Sequence, residues 1–191
     1  MTEPNSDTDG SRLVSKLPPD GGMAVIVGKT GVGKAAVLAD IALGELLRGH
    51  QVIHLALREP AAHARSRYDQ LLRGMQDAGG AEESLELARN RDILSIPELD
   101  LAVVDRHLSA LAEVTDFRPT LMVVDGSVME EGLHQRLEAL RGFASERNMR
   151  ACVGVCFEAE PLADAFPTAE VLMRVVPMGA TTRLEPIRSV A

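Results

Sequence analysis

Seven consecutive residues, Gly28-Lys29-Thr30-Gly31-Val32-Gly33-Lys34, have the types and spacing of a loop that cradles phosphate, the Walker A pattern. Glycines let successive backbone N–H groups point inward around phosphate oxygens. The start of the following helix adds a favourable dipole, and Lys34 supplies a point charge for the outer phosphates. The next residues are Ala35 and Ala36, where such a loop ordinarily carries the Ser or Thr hydroxyl that binds Mg²⁺. Thr30 lies inside the loop, away from that place. The pattern therefore favours phosphate binding by Gly28, Lys29, Thr30, Gly31, Val32, Gly33, Lys34 and Ala35, with metal-dependent hydrolysis impaired. The bland alternative is a glycine-rich turn with an exposed lysine.

A second chemical signal is Asp125, which ends the apolar run Leu121-Met122-Val123-Val124. A carboxylate at such a strand end fits the Walker B role of holding Mg²⁺, often through water. The alternative is an ordinary strand-ending Asp before a turn at Gly126. Cys152 and Cys156 are spaced to share one face of a strand. Two cysteines do not complete a zinc site, and His50, His54, His63, His107 and His134 show no ligand spacing, so buried core thiols are the expectation.

The elements that position these residues follow from the hydropathy pattern. Residues 1–19 are rich in Ser, Asp, Pro and Gly and read as a flexible tail; residues 20–191 read as one nucleotide-binding domain. Met23 to Val27 is a short apolar run typical of a strand buried on both faces. Ala35 to Arg48 has helical spacing, closed by Gly49. Val52 to Leu57 is a second strand, and Pro60 opens a helix to about Ala78, before Gly79-Gly80. A short helix (Ala81 to Arg89), a strand (Asp92 to Ile96) and a helix (Leu101 to Thr115) follow. After the Asp125 strand, Leu133, Leu137, Leu140 and Ala144 stripe one helix face. Ala151 to Phe157 and Val171 to Val176 are further strands, and Thr181 to Ile187 folds back as a hairpin. Strands alternating with helices imply an α/β fold with a mostly parallel central sheet covered on both faces.

Composition narrows the function classes. The 191 residues suit one domain, and the formal net charge of −8 does not advertise the basic surface a nucleic-acid binder needs, although a local basic patch stays open. Five aromatic residues leave little for base stacking. No apolar run is long enough to span a bilayer, and residues 1–15 lack the pattern of a signal peptide. A cytoplasmic protein without a membrane partner is the expectation.

The order of elements from about Gly22 to Ile187 resembles the RecA-like P-loop ATPases, most of all the ATPase domain of DnaB-type replicative helicases and their KaiC-type relatives. Val52 to Pro60 is similar to that family's second strand and following helix. Leu121 to Asp125 is similar to its Walker B strand, and Ala151 to Phe157 to its sensor strand. The resemblance implies bound ATP with Mg²⁺, and a homo-oligomer or a related P-loop partner. It also implies a catalytic glutamate after the second strand. Counting back from Pro60 puts Arg58 at that place, with Glu59 one position late as the candidate base. Cys156 stands near the sensor glutamine. The stretch Gly126 to Gly132, matching the DNA-contacting loop, is short and acidic, and no N-terminal helicase domain is present. Arg183 and Arg188 lie where ring-forming relatives place an arginine finger, although solvated arginines are the plainer reading. Lys29 with Lys34 also resembles the ParA and MinD ATPases, where an early lysine reaches across a dimer.

The expectation is thus a RecA-like protein that binds ATP with weak or absent hydrolysis, as a regulatory or scaffolding partner. The alternatives are a DNA-dependent ATPase using Glu59 as base, a ParA/MinD-like dimeric ATPase, and a structural domain without nucleotide.

Overall fold

The computed structural model describes residues 14–76, 87–128, 132–157, 162–179 and 181–189. Seven strands and five helices are defined there: β1 (Met23–Gly28), α1 (Lys34–Leu46), β2 (Val52–Leu57), α2 (Ala61–Gln76), β3 (Arg91–Ile96), α3 (Leu101–Thr115), β4 (Leu121–Val128), α4 (Leu133–Glu146), β5 (Arg150–Cys156), α5 (Leu162–Ala165), β6 (Val171–Met178) and β7 (Thr181–Arg188).

The strands form one sheet in the order β3-β2-β4-β5-β1-β6-β7. Every neighbouring pair is parallel except β6 and β7, which form the expected antiparallel C-terminal hairpin. Burial on both faces explains the apolar strands β1 and β2, in which every residue is buried, although β2 carries one polar side chain, His54. Met23, Val25 and Val27 join a core with α3 and α4 residues such as Val104, Leu108, Leu137 and Leu140. Ala24 and Ile26 join a second core with Leu38, Ile41, Leu46 and Tyr68, from α1 and α2. Alternate residues of β1 thus serve opposite layers, as strand geometry requires.

Helix α1 is buried through most of its length, from Val37 to Leu46 save Asp40. It packs closely on the sheet at Gly154, where an added Cβ would meet Leu38 Cδ1 at 2.8 Å and push that side chain aside. At its C-terminal end the fully buried Glu45 is paired with Arg150 and with His50, whose Nδ1 lies 2.6 Å from Glu45 Oε2. Upstream of β1, Val14 and Pro18 are buried, so packing already begins within the residues that read as a tail. Gly79-Gly80 lies outside the described residues, as does most of the short helix expected over 81–89. No helix among the described residues is long and apolar enough to cross a membrane.

Candidate functional site

The phosphate-type loop joins the C-terminal end of β1 to the N-terminus of α1. Gly31 and Gly33 adopt φ of 80° and 91°, the left-handed turn that glycine takes without strain. A Cβ on Gly28 would meet Val32 Cγ2 at 2.8 Å, whereas one on Gly31 would meet nothing within 4 Å, leaving open space over the loop. Helix α1 starts on Gly33 with no side-chain cap and no acidic residue in its first turn. By contrast α3 starts on Asp100, whose carboxylate accepts from Ala102 N and Val103 N. The orphan N–H groups of α1 are therefore left to an external acceptor. Helix α4 also starts on an uncapped glycine, Gly132; what sets α1 apart is its lysine. Lys34 Nζ donates to Gly28 O at 2.8 Å and Lys29 O at 2.6 Å, which places the ammonium inside the curl of the loop. An ammonium has a third proton to offer. Lys29, Thr30 and Gly31 are exposed, and Val32 and Ala35 are partly buried. Thr30 Oγ1 lies 3.1 Å from Cys156 Sγ, which ties the loop to the end of β5. Cys156 is therefore a half-buried thiol at the loop, not a core thiol like the fully buried Cys152.

Asp125 ends the regular part of β4, where the β4–β5 register shifts between Val124 and Ser127. Gly126 follows with φ of 93°, and a Cβ there would sit 2.3 Å from Leu57 O. Gly126→Ala is accordingly expected to cost about 2 kcal/mol of stability, read by urea unfolding. An unchanged midpoint would show that β2 and β4 can separate at this point. β4 lies two strands from β1, so Asp125 stands on the order of 10 Å from the loop's root.

Arg67 of α2 links this carboxylate to the one after β2. Its Nη1 and Nη2 donate to Glu59 Oε1 and Oε2 at 2.7 and 2.5 Å, and Nη2 also donates to Asp125 Oδ2 at 2.8 Å. The Arg67 hydrogen bonds hold Glu59 below the usual carboxylate range, against a smaller opposing effect of burial. Burial pushes Asp125 the other way, with Arg67 and the Gly126 N–H opposing. Ser95 Oγ anchors the Glu59 carbonyl from β3 at 2.6 Å.

Arg58, which the count from Pro60 put at the catalytic position, has φ of 57°. After this left-handed residue it is Glu59 that meets Arg67 beside Asp125. Arg58 instead lines a small hollow with Leu57, Pro97, Leu133 and Leu137.

Behind Asp125 lies a group that sequence reasoning passed over. His54, in the middle of β2, is completely buried and shares a 2.9 Å hydrogen bond between Nδ1 and the Tyr68 hydroxyl. Its Nε2 has no hydrogen-bond partner and lies 4.0 Å from Asp125 Oδ2. The Tyr68 ring is covered by the Arg91 guanidinium, 4.3 Å from its centroid. The readable signal was a histidine interrupting an apolar strand, since a buried imidazole needs a polar partner.

Arg188 is held inside the fold, donating from Nη1 to Phe166 O and Ala169 O at 2.9 Å each. These bonds brace the turn before β6, while Arg183 is exposed on β7. Residues 129–131, the centre of the stretch matched to a DNA-contacting loop, lie outside the described residues.

This donor set fits an anion: an uncapped helix start, a glycine curl and a lysine. It does not fit a divalent cation in the same way. Ala35 offers no oxygen and Asp125 is engaged by Arg67. Among the described residues no cluster of three His, Cys, Asp or Glu side chains could hold a metal. No protein-family model matches the chain, and no curated protein matches it significantly.

Proposed function

We propose that the chain is a RecA-like P-loop protein that binds ATP through Gly28 to Lys34, hydrolyses it weakly or not at all, and acts as a regulatory or scaffolding partner. The observation that carries this reading is Lys34: its ammonium is seated in the curl of a glycine loop, at the uncapped start of the buried helix α1. Weak hydrolysis follows from the carboxylates. Both oxygens of Glu59 accept from Arg67, and a carboxylate held below its usual range is a poor base for water. Ala35 withholds the hydroxyl that a bound metal would use.

Isothermal titration with ATP, ADP and GTP tests the binding. Saturable nucleotide binding is expected, and no heat with any of them would overturn the reading. Turnover of ATP is expected below about 0.01 s⁻¹, some three orders under the median enzyme, and Glu59→Gln should not change it. Brisk hydrolysis that disappears in Glu59→Gln would instead favour the ATPase reading, with Glu59 as base.

A further inference from the structure

The two carboxylates at the ends of β2 and β4 already share a cation, and it belongs to the chain. Arg67 spends three donor contacts on them, two on Glu59 and one on Asp125. We propose that Arg67 is the resident cation of this site: it stands in for a divalent metal, and the chain takes its nucleotide as the metal-free anion. This rests on the phosphate-binding reading of the loop.

Five features carry the inference. Charge-assisted bonds in a bidentate fork are the strong kind, and a guanidinium stays protonated at any working pH. A metal taking Asp125 Oδ2 would have to displace the Arg67 Nη2 contact and sit against the charge of a guanidinium that is only 22% exposed. The fork is also held from behind, because Tyr68, the next residue along α2, is fully buried on His54. The Nε2 of His54, buried and without a hydrogen-bond partner, lies 4.0 Å from Asp125 on the side away from solvent. Finally, the residue after Lys34 is Ala35, so the loop supplies no oxygen to complete an octahedral shell. The missing hydroxyl and the present guanidinium are two sides of one arrangement: the loop contributes no ligand because the site needs no metal.

The test separates this inference from the reading beneath it. Titration of the unaltered protein with ATP, in EDTA and then in excess Mg²⁺, should give dissociation constants within about twofold of each other. Binding at least about tenfold tighter with Mg²⁺ would overturn the inference while keeping the nucleotide site. No ATP binding in either buffer would overturn the nucleotide reading, and with it the metal-free ligand. Mn²⁺ alone, followed by electron paramagnetic resonance, probes the carboxylates without nucleotide. The unaltered protein should show no Mn²⁺ binding below about 1 mM. Arg67→Met should gain at least about tenfold in Mn²⁺ affinity, and adding Asp125→Asn should remove the gain. Micromolar Mn²⁺ binding by the unaltered protein, or no gain in a folded Arg67→Met, would show that Arg67 does not hold a cation's place. The measurements on the unaltered protein decide the matter if Arg67→Met does not fold.

Discussion

Lys34→Ala is expected to weaken ATP and ADP binding by at least about a hundredfold, near 3 kcal/mol, while the protein stays folded. The argument starts from where the ammonium sits. Its two protein partners are the carbonyls of Gly28 and Lys29, the residues that open the loop. Phosphate oxygens brought into the curl would meet an ammonium already fixed at its centre, with little rotamer freedom left to lose. The same bonds set the cost to the fold. Gly28 is buried at the end of β1 and Lys29 is exposed, so about one net hydrogen bond of stability is at stake, roughly 1 kcal/mol. For a chain of this length that lowers the melting temperature by no more than about 4 °C. Lys29→Ala is the control: an exposed loop lysine should cost less than about tenfold in affinity. Calorimetric titration beside thermal melts separates the two effects. Equal affinities for the unaltered and Lys34→Ala proteins would show that the loop is only a turn.

The sheet was legible because its strands are buried on both faces. Runs such as Met23 to Val27 and Val52 to Leu57 have no polar period to confuse them with surface segments, and the structure places them at Met23–Gly28 and Val52–Leu57. Leu101–Thr115 was placed from its hydropathy pattern, and the structure adds the Asp100 cap at its start. The C-terminal hairpin was legible from the turn at Met178-Gly179 after the apolar run Val171 to Val176, and Met178 pairs with Thr181. The candidate site was legible only where its residues are neighbours in sequence, as in the loop from Gly28 to Lys34. The Glu59–Arg67–Asp125 bridge joins residues 58 positions apart in the longer of its two links, and no local period records which helix face will cover which strand end. Arg67 lies in a helix that also carries Arg65 and Arg73 and whose exposed positions are mostly polar or charged, so its type carried no signal. Counting back from Pro60 along an extended strand assumes a two-residue period, and the left-handed Arg58 interrupts that period, so the count alone does not say which side chain faces Asp125.

His54 makes stability fall on acidification, and the expected loss is about 3 kcal/mol between pH 6.5 and 4. Burial is the first cause of its lowered affinity for protons, with the Arg67 guanidinium second, and together they take its pKa from 6.5 to about 4. The folded state thus binds fewer protons than the unfolded chain throughout that window. Stability is fully present above the unfolded value of 6.5 and is lost as pH falls through the folded one. The gap at 1.36 kcal/mol per pH unit gives the figure of about 3 kcal/mol. Two neighbours act on the same curve. Glu59, held below its usual range, adds a loss beneath its ordinary 4.5. Asp125, pushed up by burial, opposes the trend just above its ordinary 3.8, where the folded state holds the extra proton. Comparing the unaltered protein with His54→Gln isolates the imidazole, because a glutamine can still meet the Tyr68 hydroxyl and does not titrate. Urea unfolding at steps from pH 7.5 to 4 should show a difference in stability between the two that is flat above about pH 6.5 and narrows by about 3 kcal/mol below it. A difference that stays constant across the whole range would mean that His54 titrates alike in the folded and unfolded chains. The polar chain behind Asp125 would then be open to water.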